Sequence, residues 1–173
     1  MSEKLPGNAV IERAHSDDSD VLTELWIELA SDQRQHGSHL RAERNGPQIH
    51  ETMLQHIVSG TAFVARYGEE PGDEAVVGFV TFGTESGRYD QDCVRGIVHN
   101  IYVEERLRGR GIGSELLTAA ESELESRGVD AIGLEAMADN DAAISFYRQR
   151  GYIDHRIQLE KPINNDHQDP SED

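Results

Sequence analysis

His99-Asn100-Ile101-Tyr102-Val103, then Glu104-Glu105-Arg106-Leu107, then Arg108-Gly109-Arg110-Gly111-Ile112-Gly113-Ser114 is the stretch from which the rest of the chain can be read. It reads as a strand, a charged linker and a glycine-rich turn that opens a helix. The helix shows itself in Ile112, Leu116, Leu117, Ala120 and Leu124, which recur at helical spacing, and Gly128 is placed to end it. The first turn of a helix leaves backbone N–H groups unpaired and carries partial positive charge. Both favour a phosphate group there. Gly111 and Gly113 have no Cβ to hold a diphosphate off the backbone, and Arg108 and Arg110 add full positive charge. A bare R-x-x-G-x-G also occurs in ordinary glycine-rich loops. A Walker loop is excluded because no lysine is present in the turn. A dinucleotide fingerprint matches at Gly109 and Gly111 but meets Ser114 where its third glycine belongs; Glu135 falls near the distance of a ribose contact.

Upstream, Asn8 to Ala14 reads as a first strand and Ser16 to Asp20 as an acidic helix start. Val21, Leu22, Leu25, Trp26 and Leu29 follow helical spacing, and Gln33 to Asn45 is mixed helix and loop. Pro47 suits the first turn of a second helix, Ile49, Met53, Leu54, Ile57 and Val58 give it an apolar face, and Gly60 ends it. Thr61 to Tyr67 and Ala75 to Phe82 are strands joined by the Gly68 to Asp73 turn, a hairpin. Gly83 to Asp92 is a loop and Arg95 to Val103 the next strand. Downstream of the long helix, Ala131 to Ala136 is a strand, Asn140 to Arg150 a helix with Ala143, Ile144 and Tyr147 on one side, and Tyr152 to Leu159 a last strand. The order predicts one α/β (α+β) domain over residues 1–162, a mixed sheet with helices packed on it. Residues 163–173 form an acidic tail expected to be disordered.

The segment from Ile97 to Tyr152 resembles the GNAT superfamily of acyl-CoA-dependent N-acetyltransferases. The acyl-CoA signature [Q/R]-x-x-G-x-[G/A] is met by Arg108, Gly111 and Gly113. The later segment N-x-x-A-x-x-x-Y-x-x-x-G-[F/Y] is met by Asn140, Ala143, Tyr147, Gly151 and Tyr152. Both pieces stand in the family's order, separated by a helix and a strand. The resemblance implies a mostly antiparallel sheet flanked by helices and acetyl-CoA as co-substrate. It implies a coenzyme site built from Ile101, Tyr102, Val103, Arg108, Gly109, Arg110, Gly111, Ile112, Gly113, Ser114 and Asn140. In this family a bulge splays the strand ending Ile101-Tyr102-Val103 from its neighbour, and the freed backbone meets the pantetheine arm.

The chemistry so implied is attack of a primary amine on a thioester. The amine must lose a proton, the oxyanion needs fixed donors, and the thiolate should leave protonated. The resemblance makes Tyr147 the candidate acid, and a phenol near its ordinary pKa of about 10 is neutral at physiological pH. Its helical position also suits plain core packing. For the base, Glu135 stands at the spacing of the catalytic glutamate in ribosomal-protein N-terminal acetyltransferases, a branch of the superfamily. His99 is the other candidate, with an unperturbed pKa of about 6.5, and proton transfer through water is the third route. The glutamate that serves as base in histone-type members would fall at Ile97, so that variant is disfavoured. Asn140 can contact coenzyme, cap its helix, or both. A module of the same fold that binds acyl-CoA without turnover is the rival function.

Composition narrows the partners. Thirty-three acidic residues against 16 basic ones give a net charge of −17, and only Lys4 and Lys161 are lysine. A duplex nucleic acid is not the expected partner of so acidic a chain. The charge fits solubility, attraction of a cationic substrate, or adaptation to high salt, of which the last accounts best for acid spread along the whole chain. No apolar run reaches the roughly 18 residues of a membrane span. Cys93 is the only cysteine, so neither an internal disulfide nor a cysteine-based zinc site is expected, and a reducing cytoplasm is the simplest setting. His36, His39, His50 and His56 show no ligand spacing and read as surface histidines; no metal is expected. A homodimer is an expectation from fold analogy alone.

Overall fold

The computed structural model describes residues 9–70, 72–87 and 89–163. They fall into two compact units, divided between Asp139 and Asn140.

The first unit is built on a five-stranded sheet in the order β1-β2-β3-β4-β5. The strands are β1 (Ala9–Arg13), β2 (Ala62–Tyr67), β3 (Ala75–Thr84), β4 (Arg95–Val103) and β5 (Ala131–Gly133). The first four pair antiparallel and β5 pairs parallel to β4. This is the mixed, mostly antiparallel sheet expected from the element order. Helices α1 (Ser19–Arg34) and α2 (Gly46–Ser59) cover one face, and α3 (Ile112–Ser126) packs on the strands with Ile112, Leu116, Leu117, Ala120 and Leu124 all buried. The α1–α2 face closes over Leu22, Leu25, Trp26, Met53, Val64, Phe79 and Tyr102. Each such side chain contributes roughly 1.5–3 kcal/mol by leaving water.

Helix ends follow the punctuation. Pro47 lies in the first turn of α2, and Gly60 closes it in a left-handed conformation at φ +66°. Asp18 is buried beneath the entry to α1. Its carboxylate accepts from Arg66 at 2.9 Å and from the backbone N–H of His15 at 2.8 Å, and Arg66 also pairs with Glu12. This ties β1, the helix entry and β2 together.

Two local expectations fail in this unit. Val58, read as part of the apolar face of α2, is 87% exposed. It lies roughly 140° around the helix from buried Met53, while Ile57 just before it packs on the core. β5 stops at Gly133 rather than Ala136, because pairing with β4 ends at Ile97↔Gly133. Glu135 therefore lies outside the strand, exposed.

The second unit begins with α4 (Asp141–Gln149), capped by Asn140, whose Oδ1 accepts from the N–H of Ala143 at 3.1 Å. Gly151 turns the chain at φ +93°. The predicted last strand is not formed: residues 152–159 carry no ladder, and Ile153, Ile157 and Leu159 are 85%, 82% and 89% exposed. Alternation sorts side chains onto two faces, but a strand exists only where a neighbour takes its backbone groups. Residues 164–173, which hold all but one position of the predicted tail, lie outside the described residues.

Candidate active site

The glycine turn comes first. Gly109 and Gly111 both adopt left-handed backbone, at φ +74° and +83°, where a side chain would be strained. Gly111 is the cap residue of α3 and no side chain bonds to the helix start. The first internal bond runs from Glu115 N–H to Gly111 O at 3.1 Å. The N–H groups of Ile112, Gly113 and Ser114 thus precede the helical ladder, at the positive end of a 15-residue dipole. Arg110 is exposed beside them. Arg108 is turned away from the helix start: its Nε donates to Val103 O at 2.8 Å and its Nη2 to Asp32 at 2.9 Å. Its guanidinium lies 5.2 Å over the Tyr102 ring. It holds the turn against β4 and α1.

β4 is flanked by β3 along its length but by β5 only at Arg95–Ile97. From Val98 to Val103 its other edge has no strand beside it among the described residues. Ile101, Tyr102 and Val103 lie on that stretch. The Tyr102 side chain is buried against α1, where its hydroxyl donates to Glu28 at 2.9 Å. Burial, with help from the Glu28 contact, pushes its pKa up to about 12. Any role of Tyr102 toward a coenzyme belongs to its backbone.

β4 also carries a bulge against β3. Thr81 pairs with Asn100 but Phe82 pairs with Val98, so His99 is the extra residue. Regular alternation would put His99 on the opposite face from Asn100. At the bulge both reach toward the helices that cover one face. Asn100 accepts from Trp26 of α1 at 3.2 Å and donates to Thr81 at 2.9 Å, while the His99 ring lies 5.6 Å from that of His56 on α2. His99 and His56 line an open cavity of about 270 Å3 with Gln55, Ser59, Thr61, Phe82 and Gly83. The His56 Nδ1 lies 2.8 Å from the Thr61 hydroxyl. Burial, then the neighbouring His99, holds the His56 pKa down at about 4, and partial desolvation lowers that of His99, whose side chain stays exposed to solvent.

His56 is the residue that reading the chain missed. It belongs to a cavity wall, not to a scatter of surface histidines. Its spacing on α2 gave a hint, since Met53, Ile57 and His56 share a helical side, but nothing local says that β4 bulges toward it. His36 and His50 instead meet Asp139 and Asp20, each at 3.0 Å. Among the described residues no three metal-ligating side chains come together, and no helix is long and apolar enough to cross a membrane.

In the second unit, Tyr147 packs edge-on against Phe146 and Tyr152, with centroids at 5.3 and 5.9 Å. Burial pushes its pKa up to about 12, so it is neutral at any ordinary pH.

An uncapped helix start behind two left-handed glycines thus stands next in the chain to a strand with one bare edge. The family model for the acetyltransferase (GNAT) family matches residues 19–152, and the chain belongs to that family. A Bacillus subtilis protein described as the uncharacterized N-acetyltransferase YesJ is 31% identical over 141 residues, covering 79% of this chain and 77% of that protein. N-alpha-acetyltransferase 30 of Schizosaccharomyces pombe is 36% identical over 59 residues, a match spanning 34% of this chain and only 39% of the length of that enzyme. Among solved structures, the PaiA N-acetyltransferase of Thermoplasma acidophilum in complex with coenzyme A aligns with a TM-score of 0.69 at 18% identity, over 87% of this chain and 92% of that one. The NatC complex bound to Gag peptide and CoA aligns with a TM-score of 0.66 at 17% identity, over 86% and 87%. At these identities the structural likeness is one of fold.

Proposed function

We propose that the chain is an N-acetyltransferase that moves the acetyl group of acetyl-CoA to a primary amine by direct attack in a ternary complex, with residues 1–162 acting as one catalytic domain. The observation that carries this reading is the uncapped start of α3 beside the bare edge of β4 from Val98 to Val103. The N–H groups of Ile112, Gly113 and Ser114 suit the diphosphate, with Arg110 adding charge. The backbone of Ile101, Tyr102 and Val103 suits the pantetheine arm and supplies donors to the developing oxyanion. A base takes a proton from the ammonium, the amine nitrogen bonds to the acetyl carbon, and the carbon–sulfur bond breaks. Tyr147, kept neutral by burial, returns a proton to the thiolate as the general acid. Asn140 fixes the start of α4 through its cap and is offered as a coenzyme contact as well. Glu135 and His99 are the two candidate bases.

The test is thiol release from acetyl-CoA with four amines: spermidine, Nα-acetyl-lysine amide, a Ser-Gly-Arg peptide and kanamycin. Calorimetry measures acetyl-CoA binding in parallel. Binding with amine-dependent thiol release is the expected result. Binding without release from any amine would point to a non-catalytic acyl-CoA module, and no binding would remove the coenzyme reading altogether.

A further inference from the structure

The bulge of β4 and the last turns of α2 bring two imidazoles to one cavity, with no carboxylate among its lining residues. The Thr61 hydroxyl lies 2.8 Å from His56 Nδ1 and also within reach of the His56 carbonyl at 3.3 Å, which ties the His56 ring to the start of β2. His99 Nε2 lies beside Gly83, 3.4 Å from where a Cβ would stand. The absence of that side chain leaves the nitrogen uncovered. His99 precedes Ile101 by two residues, roughly 7 Å of strand, so the pair sits next to the backbone assigned to the acyl group.

We propose that His99 is the group that accepts the proton of the incoming amine, and that His56 is its positioning partner, the two rings together holding a single proton. The inference rests on the acetyltransferase reading and chooses between its candidate bases. The step balances simply: the ammonium N–H bond breaks, its proton moves to an imidazole lone pair, and the freed amine pair forms the carbon–nitrogen bond. Two like charges at a ring separation of 5.6 Å repel, so the second proton is disfavoured once the first has bound. The surrounding charges do not supply a rival acceptor. Arg13 and Arg127 donate to the Gly60 carbonyl at the end of α2 and are both paired with Glu123, and Glu85, beyond Gly83 on the β3 side, is paired with Arg95. Glu135 follows β5 on an exposed segment and is not among the residues that line this cavity.

The test uses the full chain and three variants: His99→Gln, His56→Gln and His56→Asn. Asparagine can keep a hydrogen bond to the Thr61 hydroxyl in place of Nδ1 and cannot titrate. Imidazole resonances of isotope-labelled protein are followed from pH 3.5 to 8. His56 should titrate near pH 4 in the wild type and rise only part of the way toward 6.5 in His99→Gln, since burial, the larger cause, remains when the like charge is removed. In thiol release with the fastest of the four amines, His99→Gln should lower kcat by about 10²-fold with acetyl-CoA affinity unchanged. His56→Asn should restore less than full turnover. Independent titration of the two rings overturns the pairing. Wild-type kcat in His99→Gln, or full rescue by His56→Asn, overturns the assigned roles. Failure of the wild type to bind acetyl-CoA would sink the acetyltransferase reading instead, and the titration would still decide whether the rings are a pair.

Discussion

Tyr147 packs between two aromatic rings of its own unit, so its hydroxyl can be removed with little disturbance. Tyr147→Phe should lower turnover by roughly 10²-fold, the low end for a general acid because a thiolate already leaves fairly well. Acetyl-CoA affinity should hold; if affinity falls and turnover survives, the hydroxyl binds coenzyme, and if neither moves, the side chain is packing alone. His56 yields a prediction about folding. Its folded pKa of about 4 lies below the ordinary 6.5, so the unfolded chain binds more protons between those values. Its contribution to stability is complete above pH 6.5 and is lost as pH falls toward 4. In paired melts the wild type should therefore lose stability relative to His56→Gln as the pH is lowered through that window. A constant difference between them would mean that His56 is not held neutral by the fold.

α3 tests the coenzyme site as an element. Gly111→Val places a branched side chain at φ +83°, where an L residue is strained by about 1–2 kcal/mol, and also covers the N–H groups behind it. Acetyl-CoA affinity by calorimetry should fall at least about tenfold, a loss on the scale of one charge-assisted hydrogen bond, with far-UV dichroism unchanged. Unaltered affinity would remove the diphosphate from this turn. The β1–α1 entry makes a purely structural prediction. Asp18→Ala strips Arg66 of a buried partner and the His15 N–H of its acceptor. Urea melts should show a loss of about 1.5–3 kcal/mol, the range for hydrogen bonds to charged groups. A loss below half of that would show that Glu12 alone satisfies Arg66.

At the scale of the molecule the net charge of −17 should set the response to salt. Acidic groups repel over a Debye length of about 3 Å at 1 M and about 30 Å at 0.01 M. If the charge is an adaptation to a saline medium, Tm should fall steadily as salt drops from molar to tens of millimolar. A Tm that stays flat or rises on dilution would refute that reading. Attraction of a cationic amine would then be the better account, with KM rising as salt is added.

Residues that act through local geometry could be read from the chain alone. Gly60, Gly111 and Gly128 stand where left-handed backbone is needed, and Pro47, Asn140 and the apolar rows of α1 and α3 mark helix starts and buried faces. Each depends on neighbours within a turn or two, so spacing and residue type carry the information. The order of elements as far as α4 followed, and with it the mixed sheet and the glycine turn between β4 and α3. Tertiary structure decided what depends on pairing between distant segments. A bulge is a mismatch between β4 and β3, so neither strand shows by itself that His99 would turn toward α2 and meet His56, 43 positions earlier in the chain. The turn of Arg108 toward Asp32 on α1 is equally non-local. Residues 152–159 show the converse: their alternation is that of a strand, yet a ladder needs a second backbone, and no periodicity along one segment can supply it.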